Sequence, residues 1–132
     1  MKLEHIGIAV RDLKSSNKVF SDLFGKENYK LEEVASEAVK TSFFRVGESK
    51  VELLEATNTN SPIAKFIEKR GEGIHHLAFE VQDIHAEIKR LSKLGYRIID
   101  PQPKDGADNK RVVFLHPKST NGVLIELCQE KA

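Results

Sequence analysis

The chain repeats itself, and that repeat limits the folds open to it. His5-Ile6-Gly7-Ile8-Ala9-Val10-Arg11-Asp12-Leu13 and His76-Leu77-Ala78-Phe79-Glu80-Val81-Gln82-Asp83-Ile84 share one pattern: His, apolar, small, apolar, x, Val, x, Asp, apolar. A second match follows in the same order, Val51-Glu52-Leu53-Leu54 against Ile125-Glu126-Leu127-Cys128. The first pair of segments lies 71 residues apart and the second 74, so three residues inserted in a loop reconcile them. Duplication of one unit explains both. Half of a 132-residue chain is too small to hold an independent core, which predicts a single domain with one core shared by both copies. Module one is expected at about 1–57, a connecting loop and helix at 58–73, and module two at about 74–132.

Each copy reads βαβββ. Residues 3–10 alternate, with Ile6, Ile8 and Val10 on one side and His5, Gly7 and Ala9 on the other, which is strand period. Residues 15–24 carry Phe20, Leu23 and Phe24 near helical spacing, preceded by Leu13, and Gly25 stands where a C-terminal cap belongs. Strands are expected at about 29–35, 39–46 and 50–56, with a turn at Gly47-Glu48. In the second copy a strand at about 75–81 leads to a helix at 83–94, with Ile84, Ile88 and Leu91 as its stripe and Gly95 as its cap. Strands near 96–100, 110–115 and 122–128 follow. Between the copies, Ser61 and Pro62 predict the cap and first turn of a short helix with Ile63, Phe66 and Ile67 as its apolar face, ended by Gly71. The fold class expected is α+β, two tandem βαβββ modules.

Composition narrows the function classes. Lys plus Arg is 21 and Asp plus Glu is 20, a balance that argues against an electrostatic nucleic-acid binder or a polybasic membrane adaptor. A charged fraction of 31% beside 39% hydrophobic residues describes an ordinary globular domain rather than a disordered chain. The single cysteine, Cys128, leaves no intrachain disulfide and no multi-cysteine zinc site. No apolar run approaches the roughly 20 residues of a membrane span, and MKLEHIGIAV does not read as a signal peptide. A soluble, cytoplasmic protein is expected.

The repeat selects the residues for chemistry. His5 and His76 hold the same place in the two first strands, and Glu52 and Glu126 the same place in the two last strands. If a pseudo-twofold axis relates the halves, the four converge on one His-Glu-His-Glu cluster. Each histidine shares its strand face with small residues, Gly7 and Ala9 or Ala78, while the bulky residues take the other face. Each glutamate is embedded among Val51 and Leu53 or Ile125 and Leu127, where burial is costly without a partner or a metal. Two imidazoles and two carboxylates make a site for a divalent transition metal. The other histidines carry less: His75 points away from His76, His85 lies in a first helical turn, and His116 precedes Pro117 at a strand end. Cys128 reads as a small buried residue on the face of Glu126, and Lys65, Lys69 and Arg70 as the polar face of the connecting helix.

These residues and four longer stretches resemble the vicinal oxygen chelate superfamily and, within it, the methylmalonyl-CoA epimerase family. The stretches are HIGIAV at 5–10, VGESKVELLE at 46–55, SPIAKFIEKRGEGIHHLAFEV at 61–81 and FLHPKSTNGVLIEL at 114–127, and the likeness covers essentially the whole chain. The resemblance implies two βαβββ modules forming a shared metal-binding cleft. It implies metal ligands at His5, Glu52, His76 and Glu126, with Glu52 the most interchangeable because some relatives have Gln there. It also implies a divalent ion (cobalt, manganese, nickel, zinc or iron), an acyl-CoA substrate and a homodimer. The implied reaction removes the proton between a thioester and a carboxylate, with the metal stabilising the enolate oxygen. Inversion needs acid/base groups on both faces. Glu126 is the candidate for one. Some relatives carry a second glutamate where this chain has Thr41, whose hydroxyl is no comparable base, and Glu52 or Glu37 are the substitutes at hand. Lys110, Arg111 and Lys118 are candidates for CoA phosphates, set against a reading as solvated loop lysines. Three rivals share the fold: a lactoylglutathione lyase of the glyoxalase I type, a metal-free small-molecule-binding module, and a ring-cleaving dioxygenase.

Overall fold

The aspartate that closes each copy of the repeated segment caps the helix that follows. Asp12 accepts the N–H of Ser15 at 3.2 Å at the start of α1 (Leu13–Phe24), and Asp83 accepts that of Ala86 at 3.1 Å at the start of α3 (Ile84–Lys93). Both bonds satisfy donors that a first helical turn leaves open. Gly25 ends α1 at φ 70, a left-handed position that costs a residue without Cβ least. The structure, a computed structural model, describes residues 1–132 and divides into two compact units, His5–His75 and Met1–Glu4 with His76–Ala132.

The element order is β1 (Lys2–Ala9), α1, β2 (Lys30–Val34), β3 (Val39–Val46), β4 (Ser49–Ala56), α2 (Pro62–Arg70), β5 (Gly73–Glu80), α3, β6 (Lys104–Gly106), β7 (Lys110–Leu115) and β8 (Ile125–Glu130). The fold class is α+β with two βαβββ modules. In the unit His5–His75 the strands run β2-β3-β4-β1. The two outer pairs are antiparallel, and β4 pairs parallel with β1. Alternation sorts the side chains of this sheet. Val10, Phe44 and Leu53, with Ile8 and Val51, pack against Leu13, Phe20 and Phe24 of α1. The opposite side places Ala9, Val39 and Leu54 against Ile63, Phe66 and Ile67 of α2. Fully buried side chains such as Phe44 and Leu53 each contribute roughly 1.5–3 kcal/mol. Ser61 caps α2 as expected, accepting the N–H of Ile63 at 3.2 Å, with Pro62 in the first turn.

The second unit repeats the plan in the order β5-β8-β7-β6, with β5 and β8 parallel and the others antiparallel. Val81, Val113, Leu115 and Leu127 receive Ile84 and Leu91 of α3, and Ala78, Val112, Cys128 and Phe114 cluster on the other face. Here one expectation fails. Residues 96–100 form no strand, only the single bridge Ile98–Leu115, and the edge strand is Lys104–Gly106. Asp100-Pro101-Gln102-Pro103 interrupts the run with two residues that cannot donate to a ladder. The last strand also begins at Ile125 rather than at 122, where Gly122 takes φ 87. No helix is long and apolar enough to cross a membrane.

Candidate functional site

Glu52 stands in β4 directly beside Gly7 of β1 and Phe43 of β3. Its counterpart Glu126 stands in β8 beside Ala78 of β5 and Phe114 of β7. The repeat therefore reaches beyond its matched letters: in each unit the carboxylate has a small residue on its parallel side and a phenylalanine on its antiparallel side. The small residue adds little bulk on one side of the carboxylate, and the phenylalanine is its cross-strand neighbour on the other.

The histidine of each unit lies two residues before the small one, on the same face. His5 Nδ1 is 3.0 Å from Glu52 Oε2, and His76 Nε2 is 3.4 Å from Glu126 Oε1. All four residues are buried, the most exposed at 6%. Within each unit the structure thus joins the predicted histidine to the predicted glutamate. A carboxylate withdrawn this far from water needs a partner, and the imidazole supplies it. Phe114 meets His76 edge-on with ring centroids 6.0 Å apart, which limits how the imidazole can turn. Each pair offers an imidazole nitrogen and a carboxylate oxygen, a donor set suited to a divalent transition metal.

The remaining candidates fall elsewhere. His75 leaves β5 on the other side from His76 and lies edge-on to Phe66 of α2 at 5.0 Å, where burial pushes its pKa down to about 4. His85 is exposed, and His116 accepts the N–H of Lys118 in a turn. Cys128 is fully buried on the face of Glu126. Burial first, and then that carboxylate, hold its thiol far above the ordinary range. Lys65, Lys69 and Arg70 are exposed, as expected of a polar helix face. Thr41 is buried on the face of Glu52, opposite Leu54 and Glu32, and Glu37 sits in a 3-10 turn between β2 and β3. Of the three basic residues noted for CoA, Arg111 and Lys118 are exposed, but Lys110 is no loop lysine. It begins β7, is 6% exposed, and lies 4.0 Å from Glu130. One residue escaped the sequence reading: Lys50, buried two positions before Glu52. The available sign was a lysine where the matched position of the other copy has Leu124.

Residues 4–114 match the Glyoxalase/Bleomycin resistance protein/Dioxygenase superfamily. A mitochondrial methylmalonyl-CoA epimerase of Dictyostelium discoideum is 44% identical over 127 residues, covering 96% of this chain and 76% of that relative. An ethylmalonyl-CoA/methylmalonyl-CoA epimerase of Cereibacter sphaeroides is 40% identical over 130 residues, covering 97% of both. The chain belongs to the methylmalonyl-CoA epimerase family. A solved structure of a Streptomyces coelicolor methylmalonyl-CoA epimerase variant in complex with 2-nitronate-propionyl-CoA superposes at a TM-score of 0.95. It is 33% identical, with 100% of this chain and 96% of that one covered. Within this epimerase family the two buried His–Glu pairs are the residues to weigh for chemistry.

Proposed function

We propose that the protein is a metal-dependent epimerase that interconverts the (R) and (S) forms of methylmalonyl-CoA, with His5, Glu52, His76 and Glu126 as ligands of one divalent ion. The observation that carries the reading is the pair of buried His–Glu couples at repeat-matched positions. A purely structural role would not require the same costly pair twice. When bound, the ion supplies Lewis-acid stabilisation of the enolate oxygen. Glu126 takes the α-proton from one face, and inversion is completed by a proton delivered to the opposite face from a second group. Its place on a paired strand, with Ala78 and Phe114 at its sides, fixes its carboxylate within a dry setting where such a transfer is effective. Thr41 cannot serve the second face, which leaves that proton to Glu52 or Glu37 in this reading.

The acyl-CoA substrate follows from the family, and the active assembly is taken as a homodimer. A cytoplasmic location suits a chain whose only thiol is free. The test begins from one pure epimer of methylmalonyl-CoA and follows the other by chiral separation, with protein loaded by each candidate metal in turn. An equal mixture is expected. An unchanged epimer with fully loaded protein, alongside turnover of the glutathione hemithioacetal, would instead assign the glyoxalase I reaction.

A further inference from the structure

We propose that Lys50 receives the free carboxylate of the malonyl-type acyl group, so that it selects such thioesters over simple acyl-CoAs. The inference rests on the epimerase reading and deepens it. Lys50 precedes Glu52 by two positions in β4, so both side chains leave the same face. It stands opposite His5 in the parallel β1–β4 register and opposite Arg45 in the β3–β4 register. Only 7% of it is exposed. Lysine is seldom buried this far without anionic company, because its ammonium gives up strong hydration. The residue is engaged with neighbours in the free chain, and the acyl carboxylate would join that set.

The fold does not require a cation at this point. The matched position of the second unit, two residues before Glu126, is Leu124. The lysine is therefore a difference between two otherwise parallel halves, and it falls on the ligand-bearing face. Nearby cations are committed elsewhere. Arg45 is exposed and lies over the ring of Tyr29 at 5.1 Å, and Lys30 lies 3.1 Å from Glu32.

The substrate's chemistry fits such a group. A malonyl-type thioester carries a carboxylate on the reacting carbon, and losing the α-proton adds a second negative charge beside the first. A buried ammonium acts on both charges, and its attraction is stronger away from water. Propionyl-CoA has the same CoA portion without the carboxylate, so comparing it with malonyl-CoA reads the carboxylate's contacts, and substituting Lys50 singles out the lysine among them.

The test is calorimetric binding of malonyl-CoA and propionyl-CoA to wild-type protein, Lys50→Met and Lys50→Arg, with metal content measured for each. Wild type is expected to prefer malonyl-CoA. Lys50→Met should lose about tenfold or more of the malonyl-CoA affinity, with propionyl-CoA affinity and metal content unchanged. Lys50→Arg should keep part of the preference. If Lys50→Met does not fold, Lys50→Gln is read the same way. A preference that survives in the neutral variant overturns the proposal. So does an equal loss of both ligands accompanied by lost metal, which marks a structural lysine. Wild type that prefers malonyl-CoA but never interconverts the epimers of methylmalonyl-CoA would overturn the epimerase reading and leave Lys50 in place. Wild type that epimerises beside a variant with unaltered preference would do the reverse.

Discussion

Glu55 accepts the backbone N–H of Leu13 at 2.6 Å. The bond ties the first turn of α1 to the strand that carries Glu52, three residues upstream. The second unit repeats it with an amide: Gln129 accepts the N–H of Ile84 at 2.8 Å, tying α3 to the strand of Glu126. Each of these glutamate-bearing strands is thus anchored to its own helix by a side chain from the face opposite its glutamate. Because Gln129 does in one unit what Glu55 does in the other, charge is not essential to the contact. Glu55→Gln should stay close to wild-type stability, whereas Glu55→Ala should lose about 1–2 kcal/mol in urea unfolding by leaving a helix N–H unmet. Equal losses in both variants would mean that the carboxylate charge matters after all.

The two proposed glutamate ligands should respond unequally. Glu126→Gln keeps the shape but cannot accept the α-proton, so turnover should fall by about 10²-fold or more while the fold survives. Glu52→Gln replaces one oxygen donor by another and should retain metal, with a smaller loss of rate. Steady-state epimerisation with metal analysis of both variants tests the contrast, and wild-type turnover in Glu126→Gln would remove that residue from the mechanism.

His76→Ala should lose the ion. It removes an imidazole donor and takes away the ring that lies 3.4 Å from the buried Glu126 carboxylate. Elemental analysis after dialysis should show less than full occupancy, and an undiminished stoichiometry would refute the four-ligand assignment.

The small residues beside the carboxylates are as constrained as the carboxylates themselves. Ala78 is fully buried next to Glu126. Ala78→Val adds two methyl groups at a fully buried position and should cost roughly 1–3 kcal/mol. It should also weaken the ion's binding, which calorimetric titration with metal would detect. A variant that matched wild type in both respects would show that the space over the strand is unused.

Much of this was legible in the sequence because it rests on period and repetition. Strand alternation put His5 and Gly7 on one face and Ile6 and Ile8 on the other, and the duplicated pattern singled out all four ligand candidates. The Asp12 and Asp83 of the repeat turned out to be helix caps. What escaped depended on tertiary context. Tyr96-Arg97-Ile98-Ile99-Asp100 carries strand-forming residues, yet the prolines after it leave one bridge. Lys104-Asp105-Gly106 lacks any apolar signal because an edge strand with charged side chains is protected from further pairing. The pairing of Phe43 with Glu52 and of Phe114 with Glu126 is a matter of register, set by which residues face across a ladder. Lys50 was hidden for a related reason: a lysine in an amphipathic strand reads as solvated, and only the fold shows it buried.

The most direct measurement is α-proton exchange of methylmalonyl-CoA in heavy water, comparing metal-reconstituted protein with the same protein held in chelator. Deuterium uptake at the α-carbon together with interconversion of the epimers, both lost on chelation and restored by metal, is the predicted result. Fully metallated protein that leaves the α-proton in place would contradict the account.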